Sequence, residues 1–199
     1  PVKPEKYLEI DNFYTTTIYE KGSEIIRMVQ TIIDDEKFKK GFSSFISKYD
    51  GKAATIDDFI DIILEKNKDT NIEKFKIWYK QNGTPILTFK RHWDKDSKTL
   101  KIEIKQENHK NNPINKIPLI IPINLAVFTD QSNFKEIKFI LNKKNDQIIL
   151  NNINTNLYKP ITSYMRGFSA PVKWETDLDL DEELFILENE KDYFSIYNS

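Results

Sequence analysis

An α+β fold is predicted, with short helices first and an antiparallel β-sandwich after them. Three observations carry this. Apolar residues recur at steps of three and four through residues 15–82, the spacing of one helix face. Beyond Pro85 they alternate at steps of two, the spacing of a half-buried strand. The change of period falls at Asn82-Gly83-Thr84-Pro85, where Gly ends a helix and Pro forbids its continuation.

Four helices are expected in the first half. Ile18, Gly22, Ile25, Val29 and Ile32 form one stripe. Asp34 is placed to cap a second helix whose apolar face is Phe38, Phe42, Phe45 and Tyr49, ended by Asp50-Gly51. Thr55-Ile56-Asp57-Asp58 reads as a capping box ahead of Phe59, Ile62 and Ile63, and Thr70-Asn71-Ile72-Glu73 as another ahead of Phe75, Trp78 and Tyr79. In the second half, strands are expected at 86–90, 100–106, 119–128, 137–141, 147–153, 163–166 and 172–175. Turns fall at 94–98 and 142–146, and 151–156 is a polar loop. Pro122 implies an edge or a bulge in the third strand. Seven short strands with turn signals between them fit a sandwich. From Asp181 the helical period returns with Leu184, Leu187 and Tyr193.

The chain has 199 residues, of which 39% are apolar, enough for a packed core in one large or two small domains. A net charge of −1 leaves no basic footprint for nucleic acid or an anionic membrane. There is no Cys, which fits a reducing compartment, and a cytoplasmic location is expected. No apolar run approaches the roughly 20 residues of a membrane helix, and no signal peptide opens the chain. The opening Pro1-Val2-Lys3-Pro4, without Met, reads as a cut inside a longer protein.

Much chemistry is excluded by residue type. A zinc hydrolase needs three protein ligands, often two His one helical turn apart. This chain has only His92 and His109, read as surface residues near strands, so no metal ligand is assigned. Five Gly in total leave no phosphate loop. Asp94-Lys95-Asp96 lacks the Gly and distal Glu of a calcium loop and reads as a hairpin turn. Asp57, Asp58 and Asp61 read as a solvated face. The sharper signal runs from Asn12 and Phe13 through Tyr14 to Gly22, where two tyrosines five residues apart lie at the entry to a helix. Gly22 inside the helical stripe costs about 1 kcal/mol relative to Ala, and close approach of another backbone is expected there. Tyr19 would then stand in the first turn. A Tyr hydroxyl is a protonated donor at neutral pH and could stabilise an oxyanion in a water-poor cleft; helix-face packing is the commoner use of a Tyr.

The segment Tyr14-Thr15-Thr16-Thr17-Ile18-Tyr19-Glu20-Lys21-Gly22-Ser23-Glu24-Ile25-Ile26-Arg27-Met28 resembles the M1 zinc aminopeptidases, nearest in look to the bacterial aminopeptidase N kind. Three further segments, 49–59, 75–85 and 168–173, resemble the same family in the same order. The resemblance implies that residues 1–84 are the helical tail of a thermolysin-like catalytic domain. It implies that 85–180 are an immunoglobulin-like β-sandwich and that 181–199 begin a helical domain. It implies removal of N-terminal residues from peptides, with zinc polarising the scissile carbonyl and activating a water. By motif, Tyr19 is the oxyanion-binding tyrosine and Tyr14 a second tyrosine lining the same cleft. The zinc ligands, the general base and the acid that binds the substrate's free amine lie upstream in the family and are absent here. Ser23 stands where many members have Ala.

The implied partners are peptide substrates and the rest of the same polypeptide, with no nucleic acid and no membrane span, in a monomer. The fragment alone is expected to be inactive. Two alternatives stand beside this reading: a β-sandwich interaction module, and a family member whose zinc site has decayed. A piece cut from a larger enzyme should also expose apolar surface near Ile25, Ile26 and Val29.

Overall fold

A computed structural model describes residues 1–3, 8–9, 14–65, 71–108 and 117–199. Asn12, Phe13, Thr70 and His109 of the readings above lie outside the described residues. The chain forms two compact units, Pro1–Gly83 and Thr84–Ser199.

The first unit is helical. A π-turn, Thr17–Lys21, leads into α1 (Gly22–Ile33), followed by α2 (Asp35–Tyr49), α3 (Ile56–Leu64), α4 (Ile72–Phe75) and α5 (Ile77–Lys80). The last predicted helix is thus two single turns, broken at Lys76. The Lys76 ammonium lies 2.6 Å from Asp61, 3.1 Å from Glu73 and 3.9 Å from Asp57. Asp57 and Asp61 are thus on the solvated face expected, 41% and 52% exposed, and both also face the Lys76 ammonium. The Thr55–Asp58 capping box is present: the Thr55 hydroxyl accepts from the Asp58 N–H at 3.1 Å, and Asp58 accepts from the Thr55 N–H at 2.9 Å. For α4 the capping acceptor is Asn71, whose side chain takes the Lys74 N–H at 2.9 Å. Asp34 precedes α2 as expected but makes no side-chain cap bond. Its backbone sits at φ 69°, ψ 157°, a region that only Gly occupies easily.

The apolar stripe of α1 is buried at Gly22, Ile25, Met28, Val29 and Ile33. The exposed patch expected at Ile25 and Val29 is therefore absent; only Ile26, 38% exposed, faces solvent. The unit has its own buried apolar set, which also holds Val2, Ile60, Ile63, Leu64, Phe75, Trp78 and Tyr79. α2 packs on both α1 and α3, with Phe59 edge-on to Phe45 at 5.1 Å and Phe42 at 6.4 Å. None of the described residues of α2 is buried; Phe42 and Ile46 are about half exposed.

The second unit has the predicted strands: β1 (Ile86–Asp94), β2 (Thr99–Glu107), β3 (Ile121–Phe128), β4 (Phe134–Leu141), β5 (Asn145–Leu150), β6 (Ile161–Ser163) and β7 (Lys173–Glu175). They form a four-stranded sheet in the order β5-β2-β1-β7 and a three-stranded sheet in the order β4-β3-β6. All pairings are antiparallel except β1 with β7. The expected immunoglobulin-like sandwich is thus present, with one parallel edge that no local pattern announces. The β1–β2 turn is drawn in by Asp94, which accepts from the N–H groups of Asp96 and Ser97. β3 is the central strand of its sheet, yet β6 pairs only with Ala126–Phe128. Pro122 therefore lies on a stretch where one side of β3 is a local edge. The strand expected at 163–166 ends at Ser163, because Met165 adopts φ 54° and Arg166–Phe168 form a 3₁₀ turn.

Two helices, α6 (Leu180–Asn189) and α7 (Tyr193–Asn198), close this unit. Ile186 is buried with Ala126, Phe128 and Ile161, and Phe185 packs on that cluster. Leu184 and Leu187, which mark the helical period in the sequence, are each 47% exposed. The Arg91 guanidinium meets both oxygens of Glu182, at 2.6 and 2.7 Å, and reaches Asp177 at 2.7 Å. A second arginine, Arg166, bonds to both oxygens of Glu190 and to Glu136.

Candidate active-site tyrosines

The entry to α1 is built by Thr15. Its carbonyl accepts from the N–H of Ile18 at 3.0 Å and of Tyr19 at 3.1 Å, and its hydroxyl lies 3.4 Å from the Ile18 N–H. Thr17–Lys21 then wind as a π-turn. Such turns are rare, hold one residue more than an α-helical turn and recur at functional sites. The Gly22 N–H closes it on the carbonyls of Ile18 and Tyr19. Ser23 adds a bond from its hydroxyl to the Glu20 carbonyl at 2.8 Å.

This winding brings Tyr14 and Tyr19 together. Their rings stack with centroids 6.4 Å apart and planes 26° from parallel. Both stand out from the unit, 68% and 58% exposed. The two residues singled out by sequence thus share one small aromatic surface at the head of α1. The water-poor cleft that oxyanion chemistry needs is not formed by the described residues of this unit.

Lys21 was passed over in the sequence reading, although it sits inside the motif. It is half-buried, and its ammonium donates to the carbonyls of Gln81 and Gly83, each at 3.1 Å. Burial lowers its pKa from the ordinary lysine value. The expected tight backbone contact at Gly22 is not seen among the described residues: an added Cβ would meet only the Val2 side chain, at 3.5 Å. The close approach occurs at Gly41 instead, where a Cβ would lie 3.1 Å from the backbone of Ile63.

His92 is exposed on β1, 3.6 Å from Glu103. Among the described residues no group of three or more His, Cys, Asp or Glu could hold a metal ion. No helix among them is long and apolar enough to cross a membrane.

Residues 1–79 match the Peptidase family M1 domain, and residues 83–177 match a domain of unknown function (DUF3458) with an Ig-like fold. Residues 1–79 thus belong to peptidase family M1. Among M1 relatives the chain is 33% identical to the aminopeptidase N of Haemophilus influenzae over 94% of its length, covering 22% of that protein. With the aminopeptidase N of Escherichia coli it shares 30% identity over its whole length, covering 24% of that protein. A crystal structure of Legionella pneumophila aminopeptidase A in complex with aspartic acid matches 99% of this chain with a TM-score of 0.87 and 26% identity, covering 22% of that chain. The chain thus spans less than a quarter of the length of these relatives. The matched M1 segment contains both tyrosines, the π-turn and Lys21. The described residues do not fit the zinc that the family implies, because they present no donor set for it.

Proposed function

We propose that this chain is a segment of a zinc aminopeptidase that removes N-terminal residues from peptides, and that it contributes the tyrosine that binds the oxyanion. One observation carries the reading: Tyr19 sits on a π-turn at the head of α1, its ring stacked on Tyr14 and exposed, within the segment that matches the M1 peptidase domain. The Tyr19 hydroxyl donates to the oxygen that gains charge as the scissile carbonyl becomes tetrahedral. Other parts of the enzyme would exclude water around it, and there the bond is worth far more than in solvent. Tyr14 holds one side of the Tyr19 ring and lines the same cleft. Zinc, the family's cofactor, is held in this reading by residues outside the chain. In the same reading residues 1–84 end the catalytic domain, 85–180 are the sandwich and 181–199 open a helical domain, and the segment by itself hydrolyses nothing.

The test is turnover of a chromogenic amino-acid amide by the full-length enzyme, wild type against Tyr19→Phe, with zinc content measured in both. Loss of one oxyanion donor costs roughly 2.7–4 kcal/mol in the transition state, about a hundredfold or more in kcat. Wild-type turnover in Tyr19→Phe would remove this role from Tyr19.

A further inference from the structure

Tyr19 is more than half exposed and its ring rests on Tyr14, itself exposed. Its direction is therefore set mainly by the backbone beneath it. That backbone is a π-turn, which carries one residue more than an α-helical turn and so rotates everything before it by about 100° against the face of α1. A turn of this kind persists only where its surroundings hold it. Lys21, its last residue, is held. Its ammonium spans to two backbone carbonyls, Gln81 and Gly83, beyond the end of α5. Gln81 is itself buried at 1% exposure, and Gly83 sits at φ 76°. The anchor thus lies in the closing stretch of the same compact unit, 60 residues away in sequence. A lysine that only served solubility would keep its ammonium in water; this one places it among carbonyls.

We propose that Lys21 is a positioning residue for Tyr19: by tying the π-turn to the carbonyls of Gln81 and Gly83, it fixes where the Tyr19 hydroxyl points. The proposal rests on the oxyanion role given to Tyr19 above. Lys21 touches no substrate in this scheme and acts only through Tyr19.

The test uses the full-length enzyme carrying Lys21→Met, Tyr19→Phe and both together, with kcat and KM measured on a chromogenic amino-acid amide. Misplacement of a catalytic group by about 1 Å can cost on the order of a hundredfold. Lys21→Met is therefore expected to lower kcat by about ten- to a hundredfold, with KM changed by less than about twofold. In the Tyr19→Phe background the same substitution is expected to add nothing, because the hydroxyl it positions is gone. Amide hydrogen exchange at residues 19–22 should be faster in Lys21→Met. Should Lys21→Met fail to fold, Lys21→Gln, which keeps a donor on a shorter stem, takes its place in every comparison. Equal losses in both backgrounds, a loss carried by KM, or unchanged exchange across the π-turn would each overturn the proposal. Reduced turnover in Tyr19→Phe with wild-type turnover in Lys21→Met removes the positioning alone. Wild-type turnover in Tyr19→Phe removes the role of Tyr19 and the proposal with it.

Discussion

Asp58 receives the Thr55 hydroxyl at 2.6 Å, the Thr55 N–H at 2.9 Å and the Tyr49 hydroxyl at 2.8 Å. Those bonds, the Thr55 hydroxyl first, lower its pKa to about 2 from the ordinary 3.8. Since the folded value lies below the unfolded one, the native state favours the ionised form. Its stabilisation is full above pH 4 and is lost as the pH falls toward 2. We predict that Asp58→Asn is less stable than wild type at pH 7 and that this difference shrinks as the pH falls from the ordinary 3.8 through about 2, as read by denaturant unfolding of the chain. A constant difference across that window would show that the carboxylate charge is not what these bonds stabilise. The capping box was legible in the sequence, because its partners are three residues apart. Tyr49 as a third donor was not, because it arrives from the preceding helix.

At the scale of elements, the informative residue is Gly41. The sequence reading gave the tight contact to Gly22, the glycine inside the clearest apolar stripe. Gly22 has room for a methyl group, whereas Gly41 on α2 lies against the backbone of α3 at Ile63. A side chain there requires the Ile63 backbone to give way by at least a few tenths of an ångström. Gly41→Val is predicted to destabilise the helical unit by roughly 1–3 kcal/mol through overpacking, with Gly22→Ala as the control. A thermal scan that finds both variants near wild type would refute the close packing of α2 on α3. Helix periodicity marks which face is apolar but not which point on that face meets a neighbour. For the same reason the period at Leu184 and Leu187 marks a helix but not its buried face, and α6 buries Ile186 and Glu182.

Across the molecule, two arginine–carboxylate clusters tie the closing helices to the sandwich within the second unit. Arg91, with 6% of its side chain exposed, bridges Asp177 and Glu182, whose side chain is 5% exposed. Removing one member of a buried ion pair costs about 3–5 kcal/mol, since the other is left in a poor solvent for charge. Lys159 stays 3.2 Å from Glu182, so Arg91→Met belongs at the lower end, about 3 kcal/mol. The paired change Arg91→Met with Glu182→Met should cost less than the sum of the two single changes. Denaturant unfolding of the four proteins measures the coupling, and strict additivity would mean that the pair contributes nothing of its own.

What the sequence by itself determined was local: the type and order of the elements, the break at Asn82-Gly83-Thr84-Pro85, one complete capping box and the two tyrosines at the head of α1. Each is written in residues within about one or two turns of one another, where period, propensity and capping act. Only the tertiary structure decided that β7 runs parallel to β1, that Ile25 and Val29 are covered, that α2 meets α3 at Gly41, and that the Lys21 ammonium rests on carbonyls at Gln81 and Gly83. These depend on where the chain returns after many residues. No local pattern encodes that return, because a long side chain or a bare backbone edge accepts whichever partner the packed core brings to it.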